Sequence, residues 1–168
     1  MAHKTACQGF TLIEVLIATI LVGLSIAALV GANSSFTMAN GAGTDLSTAE
    51  FLVEQIRELT TLLPVVDPAV AAGTRVTVLG PESGEILATY DDVDDFDGAS
   101  FSPPIGANKT VLTEFAAFSQ QVTVDKVSPS NLDLVVADTF DSAFVRVTVR
   151  VLQNGRQVVS ASWIRARY

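Results

Sequence analysis

The chain has 168 residues, a formal net charge of −8 and a hydrophobic content of 49%. Its single cysteine, Cys7, and single histidine, His3, both precede Gly9, which excludes a disulfide within the chain and, beyond that point, any Cys/His zinc site, Cys nucleophile or His general base. An acidic chain is also a poor general binder of nucleic acid, and none is expected as a partner.

From Phe10 to Val30 the sequence is an apolar run whose one charged residue is Glu14. At about 1.5 Å per residue, a helix over this run covers roughly 30 Å, enough to cross a bilayer core. Lys4 precedes the run, and no Lys or Arg follows it until Arg57. The positive-inside rule therefore places residues 1–9 in the cytoplasm and the rest outside. The segment differs from a secretory signal. Its charged start is short, its apolar core is long, and no Ala-x-Ala-like site follows. A carboxylate inside a lipid-length helix is expensive and needs a partner.

The stretch Gly9-Phe10-Thr11-Leu12-Ile13-Glu14-Val15-Leu16-Ile17-Ala18 closely resembles the class III signal of type IV pilins and type II secretion pseudopilins. The resemblance implies cleavage by a prepilin peptidase between Gly9 and Phe10, and methylation of the new Phe10 amine. It also implies that Glu14 of one subunit meets the Phe10 amine of a neighbour in a filament. Pairing offsets the desolvation of each charge and sets register, because a slip leaves both unpaired. The family's fold is the one expected here: α+β, with a long N-terminal helix, membrane-spanning in its first half, packed on a small antiparallel sheet. The expected divisions are a leader at 1–9, a membrane and filament-core helix at 10–32, its amphipathic continuation at 33–63, and a periplasmic or extracellular sheet domain at 64–168. About 100 residues remain beyond the helix, room for one small domain.

Leu46, Ala49, Leu52, Val53, Ile56, Leu59 and Leu63 recur at three- and four-residue spacing, which predicts a stripe that packs on the sheet domain. Pro64 and Pro68 end the helix. Between the two halves lie Gly31, Gly41 and Gly43. Each weakens a helix by about 1 kcal/mol relative to alanine. Two readings stand: local melting near Gly31, as the resemblance implies for filaments, and close packing of helices in a bundle.

Arg75–Leu79 and Glu85–Tyr90 read as strands around a turn at Gly80–Gly84, and residues 91–108 read as a long loop. Strand alternation resumes at Gln120–Val127 and Leu132–Val136. Asn154-Gly155 between Phe144–Gln153 and Arg156–Arg167 predicts a type I′ hairpin. With those two residues as the turn, Val145, Val147, Val149 and Val151 oppose Ile164, Ser162, Ser160 and Val158 and cover the helix stripe. Arg146 then faces Trp163 in a cation–π pair. Arg146, Arg150, Arg156, Arg165 and Arg167 supply solvated faces, partners for acidic residues or, less favourably, a local basic patch.

Five of the seven residues Asp91–Asp97 are acidic: Asp91, Asp92, Asp94, Asp95 and Asp97. Such a run repels itself unless compensated. The alternatives are a solvated loop, a calcium site and a protein-docking loop. It is not an EF-hand, since aligning Asp95, Asp97 and Gly98 puts Val93 and Pro104 where the outer acidic ligands belong. Tyr90–Gly98, with Gln121-Val122-Thr123-Val124 and the terminal hairpin, resembles minor pilins of mannose-sensitive haemagglutinin-type pili. Some pseudopilins use calcium structurally, so the resemblance leaves calcium as the one cofactor to consider.

The expected function is non-catalytic: a subunit of a type IV pilus-like or type II secretion filament, anchored in the inner membrane, whose partners are the prepilin peptidase and other pilin or pseudopilin subunits. The lack of a disulfide and the non-EF acidic loop point to a minor subunit. The alternative is a filament-displayed adhesin that uses loop 91–108, with calcium. An enzyme is not expected, because Lys109 and Lys126 sit in no Ser-x-x-Lys motif.

Overall fold

A computed structural model describes residues 9–67 and 79–167. One helix, α1, runs without a break from Leu12 to Thr61. The chain divides into two compact units, one ending at Thr44 and the other beginning at Asp45.

In the first unit every described side chain from Gly9 to Thr44 is exposed. An 18-residue window of α1 reaches a mean hydropathy of 2.6, with none of it buried within the chain. By length and composition this helix is long and apolar enough to cross a membrane. Several hydroxyls are returned to the helix itself. Ser25 Oγ donates to the Leu21 carbonyl at 2.8 Å and Ser35 Oγ to the Gly31 carbonyl at 3.1 Å. Such back-bonding satisfies these donors without a partner outside the helix. The helix continues through Gly31, Gly41 and Gly43, and a Cβ built on any of them meets nothing within 4 Å. No neighbour among the described residues requires those glycines.

In the second unit α1 buries Ala49, Leu52, Val53, Ile56, Leu59 and Thr60 against the sheet. Most of the predicted stripe is there, but Leu46 is exposed. The helix ends at Thr61, just ahead of Pro64. The strands are β1 (Ser100–Phe101), β2 (Phe118–Ser128), β3 (Asn131–Val135), β4 (Phe144–Gln153) and β5 (Arg156–Ala166). They form a five-stranded sheet in the order β1-β2-β4-β5, with β3 also paired to β2, and every pairing is antiparallel. The α+β, pilin-like arrangement expected from the sequence is present.

Glu85–Tyr90 is not a strand. The Thr89 and Tyr90 N–H groups both donate to the Ile86 carbonyl, so the segment coils into turns and leaves Ile86 exposed. Of the proposed Arg75–Leu79 strand, residues 75–78 lie outside the described residues. The 91–108 segment carries a short 3-10 turn at Asp94–Phe96 and strand β1.

The hairpin turn is as expected, with positive φ at Asn154 (49°) and Gly155 (78°). Its register is corrected by one residue. Next to the turn Gln153 pairs with Arg156 and Leu152 with Gln157, but Val151 then pairs with Val159. Val158 is the extra residue of a β-bulge. Beyond it Val149 opposes Ala161, Val147 opposes Trp163 and Val145 opposes Arg165. Trp163 therefore shares the helix-facing side with the buried valines. The predicted Arg146–Trp163 pair does not form. Arg57 of α1 lies over the Trp163 ring instead, 4.8 Å from its centroid.

The same slip turns Arg165 toward the end of α1. Its guanidinium donates to the Thr60, Thr61 and Leu63 carbonyls at 3.0, 2.6 and 2.8 Å. The Thr60 and Thr61 carbonyls are among those a helix C-terminus leaves without partners, and Leu63 lies just beyond it. Arg146 donates to the Leu132 carbonyl. Neither arginine partners the acidic loop. We expect Arg165→Ala to destabilise the fold by about 2–3 kcal/mol, since charged hydrogen bonds contribute roughly 1.5–3 kcal/mol each and the arginine is half-exposed. Denaturant melting of the full chain in detergent measures this. Full retention of stability in Arg165→Ala would mean that water replaces the cap without loss.

Candidate functional sites

Two places gather chemistry: the acidic loop and the start of α1. The loop is held rigidly. The Val93 N–H donates to the Pro64 carbonyl at 2.9 Å, and the Val93 and Phe96 side chains enter the core. Phe96 packs edge-on against Tyr90 at 5.2 Å and Phe101 at 6.4 Å. With these apolar anchors inside, the neighbouring aspartates are drawn in too. Asp92, Asp94 and Asp95 retain only 0%, 3% and 1% of their exposure. The solvated-loop reading is therefore corrected. Only Asp91 stays exposed and Asp97 half-exposed.

Backbone amides position the buried carboxylates. Asp95 Oδ2 accepts the Asp91 and Asp92 N–H groups at 2.8 and 3.2 Å, and Asp92 Oδ1 accepts the Asp95 N–H at 3.1 Å. Asp92 Oδ2, Asp94 Oδ1 and Asp95 Oδ1 are buried with no hydrogen-bond partner. Burial, followed by the adjoining Asp92 carboxyl, pushes Asp94 up to about 9. Burial also raises Asp92 and Asp95 above the usual carboxylate range. No Lys or Arg pairs with Asp91–Asp97 among the described residues; Lys109 reaches the loop but donates to the Tyr90 carbonyl at 2.5 Å.

Of the five candidate metal ligands, Asp91, Asp92 and Asp95 come together, each offering an oxygen within 4.8 Å of the others. Asp94 and Asp97 fall outside the group. Asp97 Oδ1 accepts the Val124 N–H at 2.8 Å and so fastens the loop to β2. Glu82 and Glu85 form a second group with Asp95 at the same spacing. Those two glutamates were not foreseen. Their signal was their closeness in sequence to the aspartate run, on the far side of the turns at 86–90.

At the other site Gly9 and Phe10 are exposed and lie outside the helix. An exposed, non-helical peptide bond is the kind proteases reach. Thr11 caps α1. Its N–H and Oγ1 both donate to Glu14 Oε2 at 2.8 Å, and the Glu14 N–H donates back to Thr11 Oγ1 at 3.3 Å. This is a capping box, the reciprocal Thr-x-x-Glu arrangement that satisfies free amides at a helix start. It fixes the Glu14 carboxylate one turn from Phe10. The Thr11-x-x-Glu14 spacing was visible in the sequence but was read only for its charge.

Residues 4–30 match the family described as the prokaryotic N-terminal methylation motif. The chain carries the class III signal of type IV pilins and pseudopilins. No curated protein and no solved structure matches the chain. The methylation motif implies processing by a prepilin peptidase and assembly with other pilins, and it points to a structural subunit rather than an enzyme. Together with the single apolar helix, it fits a membrane-anchored pilin.

Proposed function

We propose that the chain is a minor pilin or pseudopilin without catalytic activity. It is cut between Gly9 and Phe10, methylated on Phe10, and built through α1 into a type IV pilus-like or type II secretion filament. Before assembly the helix spans the inner membrane, with residues 1–9 cytoplasmic and the sheet domain periplasmic.

The observation that carries this reading is the methylation motif placed at the head of a long helix whose apolar half has no cover among the described residues. Phe10, Glu14, Ala18 and Val22 line one groove along that helix. A neighbouring subunit there removes the apolar surface from lipid and brings a second Phe10 amine to Glu14. The inward-turned aspartates weigh against the adhesin alternative, because they leave little charge on the outside of the loop.

Mass spectrometry of sheared filaments and of the membrane fraction tests the proposal. The expected species is a peptide that begins at methylated Phe10, in small amount relative to the most abundant pilin of the same filament. Its confinement to the membrane fraction, still processed, assigns a pseudopilin. An unprocessed chain that retains Gly9 in both fractions overturns the proposal.

A further inference from the structure

We infer that the free edge of β5 is a docking edge for another protein, which adds an extended strand there and seats apolar and basic side chains in the groove between β5 and α1. β5 is the last strand of the sheet and pairs only with β4 among the described residues. An open edge presents a row of N–H and C=O groups to any extended segment, and proteins that leave one unused blunt it with proline, charge or short length. Here the edge strand is 11 residues long and has no proline, and nothing from Gln157 to Ile164 is charged. The β-bulge at Val158 disturbs only the end next to the turn, which leaves Val159 to Ile164 as regular edge.

The inner side of that edge is also incompletely covered. Val159 and Ala161 pack against the core but stay half-buried, while Val149 and Val151, their partners on β4, are fully buried. A groove of about 520 Å³ opens there, lined by Val159 and Ala161 of β5 and by Phe51 and Val53 of α1, with Phe51 46% exposed. An added strand pairs the open backbone and brings inward side chains to the groove, the two parts of recognition by strand addition. Glu50 and Glu54 line the same groove. Glu54 meets Arg57 at 3.3 Å, and Glu50 has no ion-pair partner among the described residues. This rim selects Lys or Arg, whose apolar stem lies along Phe51 while the charge reaches the carboxylates. It also selects against a second copy of this chain, since two β5 edges paired with each other bring two acidic rims to one seam. The occupant is therefore an extended segment of a different protein, with apolar and basic residues on one face.

The backbone and the rim can be probed separately. The probe is the peptide Thr-Val-Thr-Lys-Thr-Val-Thr, whose alternate residues Val, Lys and Val share one face of a strand. A second peptide carries Glu in place of Lys. A third carries a methyl group on every amide nitrogen, which removes the donors an added strand needs. On the protein side Glu50 is exposed on α1, so Glu50→Lys reverses a rim charge and leaves the core alone.

The full chain in detergent is titrated with each peptide. Fluorescence anisotropy reads the binding, and hydrogen exchange reads its place. The lysine peptide is expected to bind and to slow exchange across Val159–Ile164. The glutamate peptide is expected to bind about tenfold more weakly, and Glu50→Lys to erase that preference. The methylated peptide is expected not to bind. No slowing of β5 exchange by the lysine peptide at about 1 mM overturns the docking edge. So does equal binding of the methylated peptide, or an unchanged preference in Glu50→Lys. Self-association of the chain that slows β5 exchange without peptide also overturns it, and assigns the edge to a second copy.

Discussion

Gln120→Ala is expected to destabilise the sheet domain by about 3–5 kcal/mol. Gln120 is fully buried on β2, yet its amide is satisfied at both ends. Its Oε1 accepts the Ile105 N–H at 2.8 Å, and its Nε2 donates to the Leu52 carbonyl at 2.8 Å and the Ile105 carbonyl at 3.1 Å. One side chain thus joins β2, the 105 loop and α1. Alanine leaves the Ile105 N–H buried without an acceptor, about 1–3 kcal/mol by itself. The cavity left by the truncated side chain adds the remainder. Gln120→Met separates the two effects, because it keeps most of the volume and loses the hydrogen bonds. It is expected to recover about 1–2 kcal/mol of the alanine loss. Urea melting at constant slope reads both, and a methionine variant as stable as the native chain would show that the amide contributes nothing net.

The second large effect is expected at Glu14. Removing one partner of a buried ion pair typically costs about 3–5 kcal/mol, because the other charge stays buried alone. Glu14→Ala should therefore lower incorporation into filaments at least a hundredfold while the amount in the membrane fraction holds. The capping box complicates the alanine variant, since Glu14 also accepts from Thr11. Glu14→Gln resolves this. Its amide oxygen keeps the cap but carries no charge. If charge pairing governs assembly, Glu14→Gln fails as Glu14→Ala does. If the glutamine variant assembles normally, the glutamate's work is capping, and the intersubunit pairing is wrong. Immunoblots of sheared filaments against membranes supply the readout.

The sequence reveals those parts of the fold whose signal is local. The three- and four-residue spacing from Ala49 to Leu59 finds the covered face of α1, and Asn154-Gly155 finds the turn. The register of β5 is not local. Two adjacent valines, Val158 and Val159, allow either alternation, and only packing against α1 selects the bulge that turns Trp163 inward. Gln120 was equally hidden, because its inward position follows from the phase of Val122 and Val124 while its chemistry suggests the surface. The acidic loop misled for the same reason. Five aspartates predict solvation, and nothing in their spacing shows that Val93 and Phe96 pull three of them under. At the N-terminus the opposite holds. Residues 4–30, which include Gly9, Phe10 and Glu14, match the methylation motif as a linear pattern that needs no fold to be seen.

The ties between α1 and the sheet also have a mechanical meaning. Asp45 Oδ1 accepts from Gln153 at 2.8 Å, Gln55 Oε1 accepts from the Ala107 N–H at 3.1 Å, Gln120 holds the Leu52 carbonyl, and Arg165 holds the last carbonyls. From Asp45 to Thr61 they are strung along about 24 Å of helix axis. Tension drawn along that axis loads them side by side, so that they share the force and must yield together with the valine core between them. A pull across the axis would meet them one after another, as a zipper does. The sheet domain is therefore expected to resist a pull along the Asp45–Thr61 stretch of helix better than a pull across it.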